Sequence, residues 1–202
     1  MSSLAAIDWP PSSTELLGLL DVSALARQQI GVASVDVLLA EPRFHDRLLQ
    51  LLAGNAVPLD TVVDAGDRLL LRAGVSQWAE LSRACGAVCH AQTFVCAIQA
   101  AQVQTLTERF GRPLYELALR HRALAWLPGV PDDPAALEAA VYATGEACMA
   151  AWYAQLSLPS CGWMRLRGFD EGAPVGDEHD ARRVEIVRAV AVDYFAEAAD
   201  KP

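Results

Sequence analysis

The sequence predicts a mainly α-helical protein, and three observations lead to this fold class. Apolar side chains make up 53% of the chain, which is enough to fill a sizeable core. They recur at three- and four-residue intervals over most of its length, as on one face of an amphipathic helix. Gly and Pro residues stand where these intervals break, at the places where helices begin or end. We therefore expect a compact multi-helix domain over residues 15–202.

The N-terminal part of the chain is predicted to hold an arm and two helices. Residues 1–14 contain two Pro and four Ser before any sustained periodicity, which is typical of a mobile arm. A helix is expected over residues 15–29, with Ser13 or Thr14 as its N-cap. A second helical segment lies within residues 34–53 and ends at Gly54.

The middle of the chain has the strongest helical pattern. One helix is predicted to end before Gly74, and the next begins near Ser76. A continuous helix is then expected from about Ala91 to Phe110, ending at Gly111. The apolar stripe of that helix consists of Val95, Ile98, Val103 and Leu106.

Two proline-initiated helices and one irregular segment are predicted beyond Gly111. Pro113 suits the first turn of a helix, and Asp133 before Pro134 suits the cap of a longer one that runs to about Leu156. The helical rhythm then fails, because side chains alternate in type from Trp163 to Phe169. This alternation predicts a short extended or β segment near residues 161–169. A terminal helix is expected over residues 178–199.

Charge and hydropathy narrow the range of partners and compartments. Sixteen basic residues against 25 acidic ones give a formal net charge of −9. Nucleic acid and anionic membrane surfaces are poor partners for such a chain, because both carry negative charge. No apolar stretch reaches the roughly 20 residues that a membrane helix needs, and the first residues lack the basic region of a secretory signal. We therefore expect a cytoplasmic protein.

The cysteines offer the only pattern that suggests chemistry. Cys85-Gly-Ala-Val-Cys89-His90 is one residue longer than the C-x-x-C-H site of covalent haem attachment, and it supplies at most three of the four ligands of a structural zinc site. Cys161, in a segment rich in Gly and Pro, is the cysteine best placed to act as a nucleophile. Buried, inert thiols are the simpler interpretation of all these residues. We expect no catalytic residue, metal ion or cofactor.

One cluster of residues suggests a protein interface. Trp163, Arg165 and Arg167 combine the aromatic and arginine side chains that anchor many interfaces. The alternative is that the arginine stems lie along a helical surface with their charged heads in water. We predict these three residues as partner-binding residues.

Two segments of the chain have a sequence pattern in common with a known protein family. The first is DRLLLRAGVSQWAELSRACGAVCHAQTFVCAIQAAQVQTLTERFG, residues 67–111, and the second is TGEACMAAWYAQLSLPSCGWMRLRGF, residues 144–169. Both segments resemble the SctK family of bacterial type III secretion, the YscK and PscK proteins. The short sequences "LLLRAG" in the first segment and "WMRLR" in the second carry the resemblance. They are patterns of Leu, Trp and Arg, and no catalytic signature is among them. The two segments together cover about a third of the chain.

The resemblance implies a function as well as a fold. Members of that family are mainly helical, non-enzymatic cytosolic proteins of the injectisome sorting platform. They link the cytoplasmic domain of the inner-membrane ring protein SctD to the pod protein SctQ, so they reach the membrane only indirectly. The alternative that the residues leave open is a small helical enzyme, or a cofactor- or metal-binding protein, that uses Cys85, Cys89 and His90 or Cys161.

Overall fold

A computed structural model describes residues 13–18, 20, 32–53, 64–128, 133–167, 169, 176 and 178–199 of the chain. These residues are mainly α-helical, and no strand occurs among them, which confirms the predicted fold class. The contacts divide the chain into two compact units. The first unit comprises Met1–Gly74 and Gln155–Glu171, and the second comprises Val75–Ala154 and Gly172–Pro202. That residues 15–202 form a single domain stays a prediction.

Five helices lie among the described residues of the first unit, and a 3-10 turn at Pro42–Phe44 precedes the third of them. They are α1 Ser13–Gly18, α2 Val32–Leu39, α3 His45–Ala53, α4 Ala65–Arg72 and α10 Leu158–Leu166. Their apolar side chains form the core of this unit. Its buried members include Leu16, Leu17, Leu48, Leu49, Leu69, Leu70, Leu71, Trp163, Met164 and Leu166.

The start of α1 differs from the prediction, because Ser13 and Thr14 lie inside the helix and do not precede it. Their hydroxyl groups bond to α3: Thr14 Oγ1 lies 2.8 Å from His45 Nδ1, and Ser13 Oγ donates to Asp46 Oδ1. These bonds fix α1 against α3 and leave neither hydroxyl as an N-cap. The rest of the predicted helix, residues 21–29, and the greater part of the predicted arm lie outside the described residues.

The predicted extended segment near residues 161–169 is wrong, because residues 158–166 form α10. Ser157 caps this helix by accepting a hydrogen bond from the Ser160 N–H, and Pro159 lies in its first turn. The side chains that it buries follow a spacing of three and four residues, which is helical and not alternating. They are Ser160, Trp163, Met164, Leu166 and, at the C-cap, Arg167.

The second unit is built around a long helix, α5, that packs against two other long helices. Its helices are α5 Val75–Cys89, α6 Ala91–Cys96, α7 Ala100–Phe110, α8 Arg112–Arg120, α9 Pro134–Ala154 and α11 Asp180–Ala199, with a 3-10 turn at Arg122–Leu124. α5 packs most extensively on α9, and α11 contacts both. α6, α7 and α8 close one end around Phe94, whose ring centroid lies 5.3 Å from that of Phe110.

Several predicted helix ends in the second unit are confirmed. Asp133 caps α9 by accepting a hydrogen bond from the Ala135 N–H at 2.9 Å. Gly111 ends α7 with φ of +82°, a conformation that glycine adopts without strain. The continuous helix predicted from Ala91 to Phe110 is wrong, because it is interrupted between Cys96 and Ala100.

The interruption has a local cause. Gln102 accepts a hydrogen bond from the Gln99 N–H through Oε1, at 3.3 Å, which caps the start of α7. Ile98 therefore lies in a connection and not on the apolar stripe of a helix, and its side chain is 87% exposed. Val95, the other early member of the predicted stripe, is also exposed.

Candidate functional site

Two buried thiols meet where α5 packs on α9. Cys89 Sγ lies 3.5 Å from Cys148 Sγ, and the two form a thiol–thiol hydrogen bond in which either can donate. Both side chains are fully buried. They are separated by 59 positions in the sequence, so only the packing of the two helices brings them together.

Two glycines explain why α5 and α9 approach so closely beside the thiols. A Cβ atom at Gly86 would collide with the backbone carbonyl of Val141, and a Cβ at Gly145 would collide with the carbonyl of Ser82. Each helix thus presents bare backbone to the other, as glycine alone allows. At one end of this contact, the Trp78 and Trp152 rings pack edge to face at 5.4 Å.

The segment after α8 passes over the end of α5, close to Cys89. The Leu127 N–H donates to the Cys89 carbonyl at 3.3 Å, and Arg182 of α11 donates to the Ala125 carbonyl at 3.2 Å. The ring of Trp126 stacks on His179, with centroids 4.2 Å apart. These contacts hold Trp126 and the first turn of α11 around one side of the thiol pair.

This environment favours the thiolate of Cys89 over the thiolates of its neighbours. The hydrogen bond from Cys148 lowers the pKa of Cys89 more than burial raises it. The indole of Trp126 and the guanidinium groups of Arg183 and Arg182 lower that pKa further. The Trp126 Nε1 atom is buried and has no ordinary hydrogen-bond acceptor, so a negative charge on Cys89 would be a suitable one.

The other two cysteines of this region are disfavoured as thiolates. Burial, with Cys89 close by, raises the pKa of Cys85 well above its ordinary value. The hydrogen bond to Cys89 and burial raise the pKa of Cys148. Of the three thiols, Cys89 is therefore the one whose thiolate is most favoured, and Cys148 is the thiol in contact with it.

His90 does not join the cysteines that precede it in the sequence. Its Nε2 atom lies 3.1 Å from Thr144 Oγ1 on α9, and its ring is buried. Within the part of the chain that the structure describes, no three His, Cys, Asp or Glu side chains lie together so that they could hold a metal ion. The metal-binding alternative that was based on Cys85, Cys89 and His90 gains no support from this geometry.

Burial of His90 makes the second unit sensitive to acid. Desolvation lowers the pKa of His90 below its ordinary value of 6.5, so the unfolded chain binds a proton more readily than the folded one. The stability that this group contributes is full above pH 6.5 and falls as the pH drops below it. Between pH 7 and pH 5 the free energy of unfolding should fall less steeply for the His90→Gln variant than for the parent protein. The two slopes should differ by up to about 1.4 kcal/mol per pH unit. Urea titrations at several pH values measure the difference, and parallel curves for the two proteins would contradict it.

Cys161 lacks the features of an activated nucleophile. Its Sγ atom lies 3.7 Å from the Leu156 carbonyl, and burial raises its pKa. Two of the four histidines of the chain contact other groups. His45 contacts the Leu39 carbonyl at 2.9 Å, and His121 contacts Asp193 Oδ2 at 2.9 Å.

The structure separates the three residues predicted to bind a partner. Trp163 and Arg167 are 1% and 2% exposed, whereas Arg165 is exposed. Trp163 Nε1 donates to the Leu71 carbonyl at 3.0 Å, and Arg167 donates to the Leu71 and Ala73 carbonyls. Trp163 and Arg167 thus bond to the end of α4, in the core of the first unit, and lie at no surface. The alternation that placed Arg167 beside Arg165 on one face was misleading, because the segment is helical.

An exposed apolar segment was missed by the sequence analysis. Residues 95–101, Val95 to Ala101, contain mostly apolar side chains and no charged ones, and Ile98 and Val95 are 87% and 39% exposed. We call residues 95–101 the apolar segment. The absence of charge over residues 91–107 was the available signal, but a helical stripe accounted for it equally well.

Searches for similar proteins identify no relatives: no family model, no curated protein and no solved structure matches the chain. A search of the described helices for one that combines the length and hydropathy of a bilayer-spanning segment finds none.

Proposed function

We propose that the chain is a non-enzymatic, cytosolic adaptor of a type III secretion sorting platform, linking an SctD-like ring protein to an SctQ-like pod protein. The proposal begins from the resemblance of residues 67–111 and 144–169 to the SctK family. The observation that supports it most is the way these two segments are paired in the structure.

In the first unit, the two short sequences that carry the resemblance are joined by hydrogen bonds. Leu71, in "LLLRAG", accepts hydrogen bonds from Trp163 and Arg167, at the two ends of "WMRLR". Trp163 and Arg167 are four positions apart, one helical turn, so both side chains can donate to the same main-chain carbonyl. The two short sequences on which the resemblance rests are therefore in direct contact in this chain, which supports the proposal.

In the second unit, the same two segments supply the pair of helices with the most extensive contact, α5 and α9. Gly86 lies in the first segment and Gly145 in the second, and each accommodates the backbone of the other helix. The two resembling segments therefore contribute to the framework of each unit. An adaptor needs such a framework to hold its binding surfaces in place.

The apolar segment is the surface on which we expect a partner to bind. Its exposed apolar side chains, Val95 and Ile98, lie within the first resembling segment and carry no charge near them in the sequence. Exposed apolar side chains of this kind form the desolvated centre of protein interfaces. The partner would be a protein that presents an apolar patch, namely the ring or the pod protein.

Co-purification from gently lysed cells tests the adaptor, with the tagged chain expected to retain both the ring and the pod proteins. Ile98→Asp should weaken retention of one partner by roughly 10-fold or more, because a carboxylate would be desolvated at the contact. Val37→Asp is the matched control, since Val37 is 67% exposed in the first unit and outside both resembling segments. If the unmodified chain retains neither partner, the proposed function fails. If Ile98→Asp binds as the control does, only the proposed surface fails.

The alternative is a small helical enzyme, or a cofactor- or metal-binding protein, that uses the cysteines. The lowered pKa of Cys89 is the one observation in its favour. Metal analysis and an absorption spectrum of the purified protein distinguish it from the adaptor. A stoichiometric metal ion or a haem absorption band would favour the alternative.

A further inference from the structure

We propose that Cys89 and Cys148 are a site of oxidative modification, at which a peroxide converts the thiol pair into a disulfide that joins α5 to α9. This inference does not depend on the proposed adaptor function. It rests on the contact between the two sulfur atoms, on the groups around Cys89 and on the close approach of the two helices.

Disulfide formation requires only a small movement of the two sulfur atoms. The two Sγ atoms are 3.5 Å apart, and a disulfide requires about 2.05 Å, so the sulfurs must move together by about 1.5 Å. The glycine contact between Gly86 and the α9 backbone already brings the two helices closer than side chains would allow. We expect rotation of the two cysteine side chains to supply this movement.

The surroundings distinguish this pair from ordinary buried thiols. Cys89 receives a hydrogen bond from Cys148 and faces the Trp126 indole, with Arg182 and Arg183 close enough to stabilise negative charge. Cys85 is the remaining titratable group that interacts with the pair. The site is thus assembled from α5, α9, the segment after α8 and the first turn of α11. Its residues are far apart in the sequence.

The chemistry balances in two steps. The Cys89 thiolate attacks one oxygen of hydrogen peroxide and breaks the O–O bond, which gives a sulfenic acid at Cys89 and hydroxide. The Cys148 sulfur then attacks the Cys89 sulfur, a disulfide forms, and the hydroxyl group leaves as water with the proton of Cys148. The hydroxide takes up the proton that Cys89 released on ionising, so in sum two thiols and one peroxide yield one disulfide and two waters. The peroxide is small enough to reach a buried sulfur through local opening of the structure.

The disulfide would stabilise the second unit against unfolding. A bond between Cys89 and Cys148 closes a loop of 59 residue steps, which restricts the unfolded chain strongly. The oxidised protein should therefore unfold at a higher temperature than the reduced one, by roughly 5–15 °C. Reduction by a dithiol reagent should reverse the shift.

The experiment uses the full chain in a Cys96→Ser, Cys161→Ser background, which removes the two cysteines that are not fully buried. The protein is treated with hydrogen peroxide under native conditions and quenched with an alkylating reagent, and its peptides are mapped without reduction. We expect one disulfide that joins the Cys89 and Cys148 peptides, with the Cys85 thiol left free. The higher Tm should accompany it.

Two further variants keep the interpretation unambiguous. Cys148→Ala should abolish the disulfide and slow the reaction of Cys89 with peroxide, because the hydrogen bond that most lowers the pKa of Cys89 is lost, whereas Cys85→Ala should leave disulfide formation unchanged. The proposal fails if peroxide leaves all three thiols of the background protein free, or if the disulfide formed involves Cys85. Disulfide formation is measured in the background protein, in which only Cys96 and Cys161 are replaced and neither of them is fully buried. A folding defect in the Cys148→Ala variant therefore does not weaken the test.

Discussion

Replacement of Gly86 by alanine should destabilise the second unit by about 3 kcal/mol, the largest effect that we expect from a single added methyl group. The new Cβ would lie within bonding distance of the Val141 carbonyl and close to the Gly145 nitrogen, both of which are backbone atoms of α9. A flexible side chain can move aside, but a helix backbone cannot. α5 and α9 would have to separate, which would also open the contact between Cys89 and Cys148.

A second glycine provides the matched control for this prediction. Gly18 is the last residue of α1, and a Cβ atom there would meet nothing within 4 Å. Gly18→Ala should therefore be neutral or stabilise by up to about 1 kcal/mol, because alanine loses less backbone entropy than glycine on folding. Urea unfolding of both variants, followed by far-UV circular dichroism, measures the difference. Equal stabilities for Gly86→Ala and Gly18→Ala would show that α5 and α9 are not in backbone contact.

The helix ends could be predicted from the sequence because each depends on residues next to one another in the chain. Asp133 with Pro134 begins α9, and Gly111 with its positive φ ends α7. Capping bonds and left-handed turns are formed over three or four residues, so the information is local. For the same reason the mainly helical fold class follows from the periodicity alone.

The extended segment was predicted wrongly because a short window fits two periods. Trp163, Arg165, Arg167 and Phe169 alternate, but Ser160, Trp163, Met164 and Arg167 are also spaced as on one face of a helix. Over seven residues the two patterns cannot be told apart by side-chain type. The capping bond from Ser160 N–H to Ser157 selects the helix.

The candidate site could not be predicted, because it depends on long-range packing. Cys89 was noticed for its neighbours Cys85 and His90, yet its contact is with Cys148, 59 positions away. His90 instead pairs with Thr144, which is 54 positions away. No local pattern states which faces of α5 and α9 meet; the two glycines that determine it are recognisable only when the helices are already paired.

Replacement of Arg167 by methionine should destabilise the first unit by about 2–3 kcal/mol, the second large effect that we expect. Arg167 is buried and donates to the Leu71 and Ala73 carbonyls at the end of α4, where helix carbonyls lack partners within the helix. Methionine fills much of the same volume but leaves the Ala73 carbonyl without this donor. The Leu71 carbonyl keeps its bond from Trp163, which limits the loss.

The charge of Arg167 reduces its net contribution without cancelling it. Burial lowers the pKa of Arg167 to about 10, so the guanidinium is still charged at neutral pH, and its desolvation opposes folding. The negative end of the α4 dipole and two carbonyl acceptors compensate for that cost. Arg167→Lys should recover only part of the stability, because a single ammonium group cannot reproduce the two-pronged guanidinium contact.

The neighbouring arginine supplies the control that decides between burial and surface exposure. Arg165 lies two residues earlier in the same helix, and its side chain is exposed. Arg165→Met should change the free energy of unfolding by no more than about 0.5 kcal/mol, as is usual for surface positions. Denaturant unfolding of the two methionine variants therefore distinguishes the helical structure of residues 158–166 from the extended one. In an extended segment Arg165 and Arg167 would share a face, and the two substitutions would have similar effects.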